Sequence, residues 1–200
     1  MPQVAIVLLV AYAVLTLAVR IVVSLRQTGA TGLLGLREGA GPLEVASGVV
    51  FVIGNLIGGS SPVLVLSDVF DPFSGIDTTF AHVIGTALAA GGILLVFAAQ
   101  MGMGSSWRIG VSDDQGTDLV TSGLFAFSRN PIYAGMFVTW TGFFLMVPTV
   151  PAIVGGLLVV IALEGQVRLV EEPYMRRTHD GYANYERRVG RFFPGFGRRA

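Results

Sequence analysis

Apolar residues in this chain fall into five long runs, separated by four stretches rich in polar and turn-forming residues. The runs cover residues 2–25, about 43–66, about 79–101, 131–147 and 152–163. A helix needs about 20 apolar residues to cross a hydrocarbon core roughly 30 Å thick, and the first three runs reach that length. The pattern predicts an all-α, polytopic integral membrane protein with about five transmembrane helices. Residues 148–151 (PTVP) form a very short turn, so spans four and five are expected to make an antiparallel hairpin. The fifth run turns polar from Glu164 with no helix breaker before Pro173, which predicts a helix protruding from the bilayer. In the second run, Gly54 and Gly58 make a small-xxx-small face that suits close approach of another helix. The stretch from Gly58 to Pro62 (GGSSP) is expected to kink or interrupt that helix, and then to be covered by protein.

Composition supports the membrane assignment. The chain is 52% hydrophobic and 13% charged, with a mean hydropathy of +0.70. Soluble domains carry about twice that charged fraction. One membrane domain over residues 1–200 is the natural division, with three spans in 1–101 and the remainder in 102–200. The first run lacks a basic leader region and an Ala-x-Ala-like cleavage site, so it is expected to be a retained span. With no cysteine, disulfides, thiolate ligands and cysteine nucleophiles are excluded, and two histidines make a multi-histidine metal site an unsuitable reading.

Charge sets the expected topology. All thirteen basic residues are arginine. Arg20, Arg26 and Arg37 flank the first connector, Arg108 and Arg129 lie in the third, and eight more follow from Arg168 onward. The acidic second connector (68–78) and the 148–151 turn have none. The positive-inside rule then places the N-terminus outside and the C-terminus in the cytoplasm, in the plasma membrane if the cell is bacterial.

Three features meet at that cytoplasmic end. The first is the segment 123–135, GLFAFSRNPIYAG. Pro131 suits the first helical position, Asn130 can cap the helix with its side-chain oxygen, and Arg129 adds a cation. A carboxylate or phosphate binds well at such a helix start. The second is Glu164-x3-Arg168-x2-Glu171-Glu172, placed on about one helical face. The third is a tail with Tyr182, Tyr185, Arg188, Arg191 and Pro194. A purely structural account exists for each: Glu164–Arg168 and Arg168–Glu172 as i,i+4 pairs, and tail arginines attracted to anionic lipids. His82 is expected to be capped or water-bonded, His179 to be a solvated turn residue, and Trp107 and Trp140 to be interface or packing aromatics.

In combination these residues resemble the isoprenylcysteine carboxyl methyltransferases and the related phospholipid N-methyltransferases. The shared pattern is Gly123-Leu124-Phe125, Arg129-Asn130-Pro131-Ile132-Tyr133-Ala134-Gly135, Arg168, Glu171-Glu172, Tyr182-x-x-Tyr185 and Arg191-Phe192-Phe193-Pro194, covering about the C-terminal half. Many members have histidine where Asn130 stands, and a Phe-Gly pair before the first tail tyrosine where this chain has residues 178–181 (THDG).

The resemblance implies a membrane enzyme using S-adenosylmethionine (SAM), with 102–200 as its catalytic region. It implies that Arg129 and the N–H groups after Asn130 and Pro131 receive the methionine carboxylate. Glu171 and Glu172 would accept from the ammonium and ribose. Tyr133, Tyr182 and Tyr185 would contact sulfonium or adenine, beside a wall from Val120 through Gly123 to Leu124, with Gly135 completing the motif. Arg168, Glu171 and Glu172 are the catalytic candidates: Arg168 to hold an anionic acceptor, either acid as a base for an amine or thiol. Expected partners are the bilayer and a lipophilic methyl acceptor, with no metal and no nucleic acid. The alternatives are an NADPH-dependent membrane reductase of the sterol-reductase type, and a non-catalytic membrane binding or transport protein.

Overall fold

The structure is a computed structural model that describes residues 1–29, 41–104 and 119–199. Arg37, Trp107, Arg108 and the acidic run 113–118 lie outside the described residues. The chain forms α1 (Pro2–Ala13) and α2 (Arg20–Thr28), joined by a π-helical stretch Val14–Val19, then α3 (Pro42–Leu66) and α4 (Thr79–Gly102). There follow α5 (Pro131–Met146), α6 (Val150–Gly165), a second π-helical stretch Gln166–Glu171, α7 (Glu172–Thr178) and α8 (Tyr182–Arg188). The fold is all-α and polytopic. Four continuous helices are long and apolar enough to span a membrane, namely Pro2–Gln27, Pro42–Leu66, Thr79–Gly102 and Val150–Thr178. Helix α5 is shorter, about 24 Å at 1.5 Å per residue, yet it runs from one end of the bundle to the other alongside α4. Large apolar side chains such as Val7, Leu56, Phe80, Leu94 and Ile161 point outward, as a lipid-facing surface requires.

Glycines decide which helices pair. On α4, Gly85 and Gly92 lie two turns apart on one face, and on α5 so do Gly135 and Gly142. A Cβ on Gly142 would run into the backbone of Ala89 and Gly85, and one on Gly135 would lie 2.8 Å from Val96. Likewise a Cβ on Gly155 of α6 would collide with the backbone of Gly58, and one on Gly54 would lie 2.9 Å from the Gly155 carbonyl. The closest pairings are therefore α4 with α5 and α3 with α6. Helices α5 and α6 follow one another through the short 147–149 turn, and each packs its glycine face on an earlier helix rather than on the other leg.

Contrary to the sequence expectation, neither Pro62 nor Pro173 interrupts its helix. Helix α3 continues unbroken through the Gly58–Pro62 stretch to Leu66. Gly58, Ser61 and Pro62 are buried there, with Trp140 and Gly155 against Gly58, and one missing proline donor does not end a helix so covered. Nor does Pro173 stop the last span. The wider π turn at Gln166–Glu171 precedes it, resets the hydrogen-bond register and lets helix continue to Thr178. The other π stretch has a comparable logic: Thr16 turns its carbonyl to Gln100 of α4, whose amide donates to it at 3.0 Å.

The helix order sorts the connectors to two ends. The Phe73 amide donates to the Pro148 carbonyl at 2.8 Å, joining the 67–78 connector to the α5–α6 turn, and Ala5 packs close by. All described arginines lie toward the opposite end, where Arg20 is buried and donates to the Gly104 carbonyl.

Candidate functional site

At the arginine-rich end the chain is tied together by the segment before α5. Ser128 bridges Gly190 in parallel fashion, while the Arg129 and Asn130 amides donate to the carbonyls of Gly190 (2.9 Å) and Arg191 (3.0 Å). The Asn130 side chain does not cap α5. Its Nδ2 donates instead to the Arg191 carbonyl at 3.0 Å. The capping expectation is thus corrected: the tail carbonyl offers an acceptor to the amide, and the backbone conformation at Asn130 (φ −131°, ψ 62°) is not the extended one a cap adopts.

Arg129 is almost fully buried. Its Nη1 donates to the carbonyls of Glu186 (2.9 Å) and Val189 (2.8 Å), at the C-terminal end of α8 where a cation complements the helix dipole. Its Nη2 donates to Glu172 Oε1 (2.7 Å) and the Gly197 carbonyl (3.2 Å), and only Nε lacks a partner among the described residues. The carboxylate that Arg129 meets therefore belongs to the chain itself.

Glu172 is the hub. Oε1 accepts from Arg129 and from Arg191 Nε at 2.7 Å each, and Oε2 accepts from Arg191 Nη2 and Arg176 Nη2 at 3.0 Å each. Arg176 also reaches Glu186 Oε2 at 2.8 Å. The hydrogen bonds to Glu172 hold the Arg191 guanidinium above its usual value. Sequence reasoning missed Arg176 and Glu186. The signals were present, since Arg176 follows Glu172 by four residues and Glu186 is the lone acid from Tyr182 onward in the basic tail.

Glu171 separates from its neighbour. It is half-buried, and its Oε1 accepts from the Tyr133 hydroxyl at 2.6 Å, linking the π stretch to the first turn of α5. The expectation that Glu164, Arg168, Glu171 and Glu172 share one face is corrected by the π turn, whose i→i+5 bonding shifts the register. Arg168 pairs outward with Glu164, and no Arg168–Glu172 pair forms, because three other arginines hold Glu172 inside.

The remaining candidates are placed as follows. Gly123 has a φ of +60° and opens the short 3-10 turn Gly123–Ala126, with Val120 and Leu124 half-buried beside it. Pro131 is buried at the start of α5. Gly135 faces α4 rather than the arginine cluster. Tyr182 and Tyr185 are buried in an edge-to-face pair with centroids 6.0 Å apart. The Tyr185 hydroxyl donates to the Phe125 carbonyl at 2.6 Å, and burial pushes this phenol up to about 12. Burial raises Tyr182 too, with the Glu172 charge adding to it. Outside this region, His82 lies 2.6 Å from Asp77 Oδ1, and Trp140 packs in the core against Gly58 and Phe143.

Five helices crossing the bundle, with an acid-and-arginine cluster at one end of the last two, define a polytopic membrane protein with one polar working end. Residues 80–181, just over half the chain, match the phospholipid methyltransferase family, and the chain belongs to it, a family of SAM-dependent membrane methyltransferases. Its fold is similar to the solved structure of the eukaryotic intramembrane Ras methyltransferase ICMT (isoprenylcysteine carboxyl methyltransferase), with a TM-score of 0.53 and 20% identity. That match covers 78% of this chain and 52% of the other, so the chain spans about half the length of that protein. Among curated proteins no match is found.

Proposed function

We propose that this chain is an integral membrane methyltransferase that uses SAM to methylate a lipophilic or membrane-associated acceptor bearing a carboxylate, amine or thiol. The observation that carries the reading is the Glu171–Tyr133 pair, set beside the arginine–glutamate cluster in a chain of this family.

The residues present suit such a cofactor. SAM combines a zwitterionic amino-acid end, a sulfonium, a ribose diol and adenine, and so needs acceptors and donors side by side. Glu171, Asn130 and Arg191 are all half-buried and of different character, and residues Val120 to Leu124 lead into the short turn whose Phe125 carbonyl accepts from Tyr185. The buried Arg129 Nε remains as one donor without a partner among the described residues. When bound, SAM supplies an electrophilic methyl group on sulfur.

Roles follow from the hydrogen bonds. All four lone-pair sites of Glu172 meet guanidinium donors, so it positions α7, α8 and the tail rather than taking a proton. Arg129 shares that positioning role and lends positive field to the start of α5. Glu171 is the base for an amine or thiol acceptor, and a carboxylate acceptor needs none. Tyr133 orients Glu171, Tyr182 lines the cofactor end, and Tyr185 fixes α8 to the 3-10 turn. Arg168, exposed and paired among the described residues with Glu164 alone, is available to an anionic acceptor arriving from the bilayer. Displacement of the methyl group is in line, so the rate depends mainly on this positioning.

The test is equilibrium binding of SAM and of NADPH to the purified protein, followed by mass spectrometry of membrane lipids incubated with isotopically labelled SAM. SAM binding and a labelled methyl ester, amine or thioether support the proposal. NADPH binding without SAM binding overturns it.

A further inference from the structure

The turn that ends the chain presents apolar and cationic groups that the arginine cluster does not use. Phe192 tucks inward against Ala134, Phe137 and Val167, its ring 5.0 Å from that of Phe137 at 73°. Its neighbours point the other way: Phe193 is 46% exposed and Phe196 76%, with Phe127 at 66% on the strand-like contact that Ser128 makes with Gly190. These rings are held out by a fixed turn. The Arg191 amide donates to the Phe196 carbonyl at 2.8 Å, the Phe196 amide to the Phe193 carbonyl at 3.1 Å, and Gly195 has a φ of +81°. The Gly190 backbone is so close to Phe193 and Phe196 that no side chain fits there.

Exposed arginines flank this turn in the sequence. Arg187 and Arg188 donate only to Asn184 in the contacts described, and Arg198 forms no ion pair among the described residues. Glu172 is committed to Arg129, Arg176 and Arg191, and Glu186 to Arg176 and Arg199, which leaves Asp180, exposed just before α8, against several exposed arginines. The surface is thus positive and apolar at once. Its depth is set by Phe192, since Phe137 lies six residues into α5, about 9 Å from its start. The turn therefore sits beside the helix ends, at the level where head groups and interfacial aromatics meet.

We propose that this turn and α8 form a docking surface for anionic phospholipid head groups of the adjoining leaflet, with Phe193 and Phe196 seated among the acyl chain ends and Arg187, Arg188 and Arg198 on the phosphates. Charge complementarity selects the occupant: these arginines have no acidic partner among the described residues, and a zwitterionic head group offers them no net attraction. Each arginine near an anionic surface strengthens binding about fivefold. This inference is independent of the methyltransferase reading.

The experiment is native mass spectrometry of the full chain in a neutral detergent, supplied with phosphatidylglycerol or phosphatidylcholine. The parent should retain phosphatidylglycerol preferentially. The triple variant Arg187→Gln, Arg188→Gln, Arg198→Gln should retain at least about tenfold less of it, with phosphatidylcholine unchanged. The corresponding triple change to lysine should keep most of the preference, and Phe193→Ser with Phe196→Ser should lower retention of both lipids. No preference in the parent, or equal loss in the glutamine and lysine variants, overturns the proposal. So does binding of heparin that the glutamine variant loses while its phosphatidylglycerol retention persists, because the patch then serves a soluble acidic partner.

Discussion

Arg129 and Glu172 stand 43 residues apart in sequence and 2.7 Å apart in space, with side chains 1% and 3% exposed. This pair joins the start of α5 to α7, and through Arg129 Nη1 it also holds the end of α8. Neither group can be removed without leaving the other charged and buried. Breaking such a pair from one side costs about 3–5 kcal/mol. Arg129→Ala and Glu172→Gln should therefore lower unfolding stability in detergent by about that much. Arg129→Lys should recover only part, because an ammonium cannot reach the carboxylate and the α8 carbonyls as a planar fork does. A thermal midpoint unchanged in Arg129→Ala would contradict the positioning role.

Glu171 should behave differently from Glu172. Its carboxylate hydrogen-bonds the Tyr133 hydroxyl and the Gln166 side chain, and it sits half-buried at the polar end. Glu171→Gln is expected to leave the unfolding midpoint nearly unchanged and to raise the SAM dissociation constant about 10- to 100-fold, the loss of one charged hydrogen bond. Tyr133→Phe should produce a smaller loss, and the double variant should lose less than the sum of the two, since both act on one carboxylate. Parent-like SAM affinity and turnover in Glu171→Gln would reduce the pair to a tie between helices.

Much of this was legible in the sequence, for identifiable reasons. Spans are written in composition, so α3 and α4 fall within a residue of the apolar runs that predict them. Arginine placement separates the two ends because charge is costly in hydrocarbon. The Gly54–Gly58 face was visible as a spacing, though not its partner Gly155, because a glycine face does not say which helix fills it. The π turn at Gln166–Glu171 was not legible, since a periodicity argument assumes 3.6 residues per turn, and it moved Arg168 and Glu172 onto different faces. Arg129 was recognisable as anion-binding. That its anion is Glu172 depends on how the tail folds back, which local sequence does not encode.

Two adjacent glycines on α6 give a test of the helix pairing. A Cβ on Gly155 meets the Gly58 backbone, which cannot give way, whereas nothing lies within 4 Å of a Cβ on Gly156. Gly155→Ala should destabilise by about 1–3 kcal/mol through overpacking. Gly156→Ala should be neutral or stabilise by up to about 1 kcal/mol, because alanine favours the helix more than glycine does. Equal midpoints for the two variants would mean that α3 and α6 do not meet at this glycine.

The last prediction concerns orientation. The connector 67–78 and the 147–149 turn share one end of the bundle, joined by the Phe73–Pro148 hydrogen bond, and carry no arginine. The other end carries all the described arginines, including those of α7, α8 and the tail. Retention of arginine-bearing connectors in the cytoplasm predicts that Arg129, Glu171 and α8 face the cytoplasm, where SAM is made and consumed, and that the 67–78 connector faces outward. The chain has no cysteine, so single cysteines at the exposed positions Ser74 and Ala183 can be introduced without background. An impermeant maleimide applied to intact cells should label Ser74→Cys and spare Ala183→Cys, and permeabilisation should expose Ala183→Cys to the same reagent. Labelling of Ala183→Cys on intact cells with Ser74→Cys protected would invert the topology. The arginine cluster would then face outward, away from a cytoplasmic cofactor, and the methyltransferase proposal would fail with it.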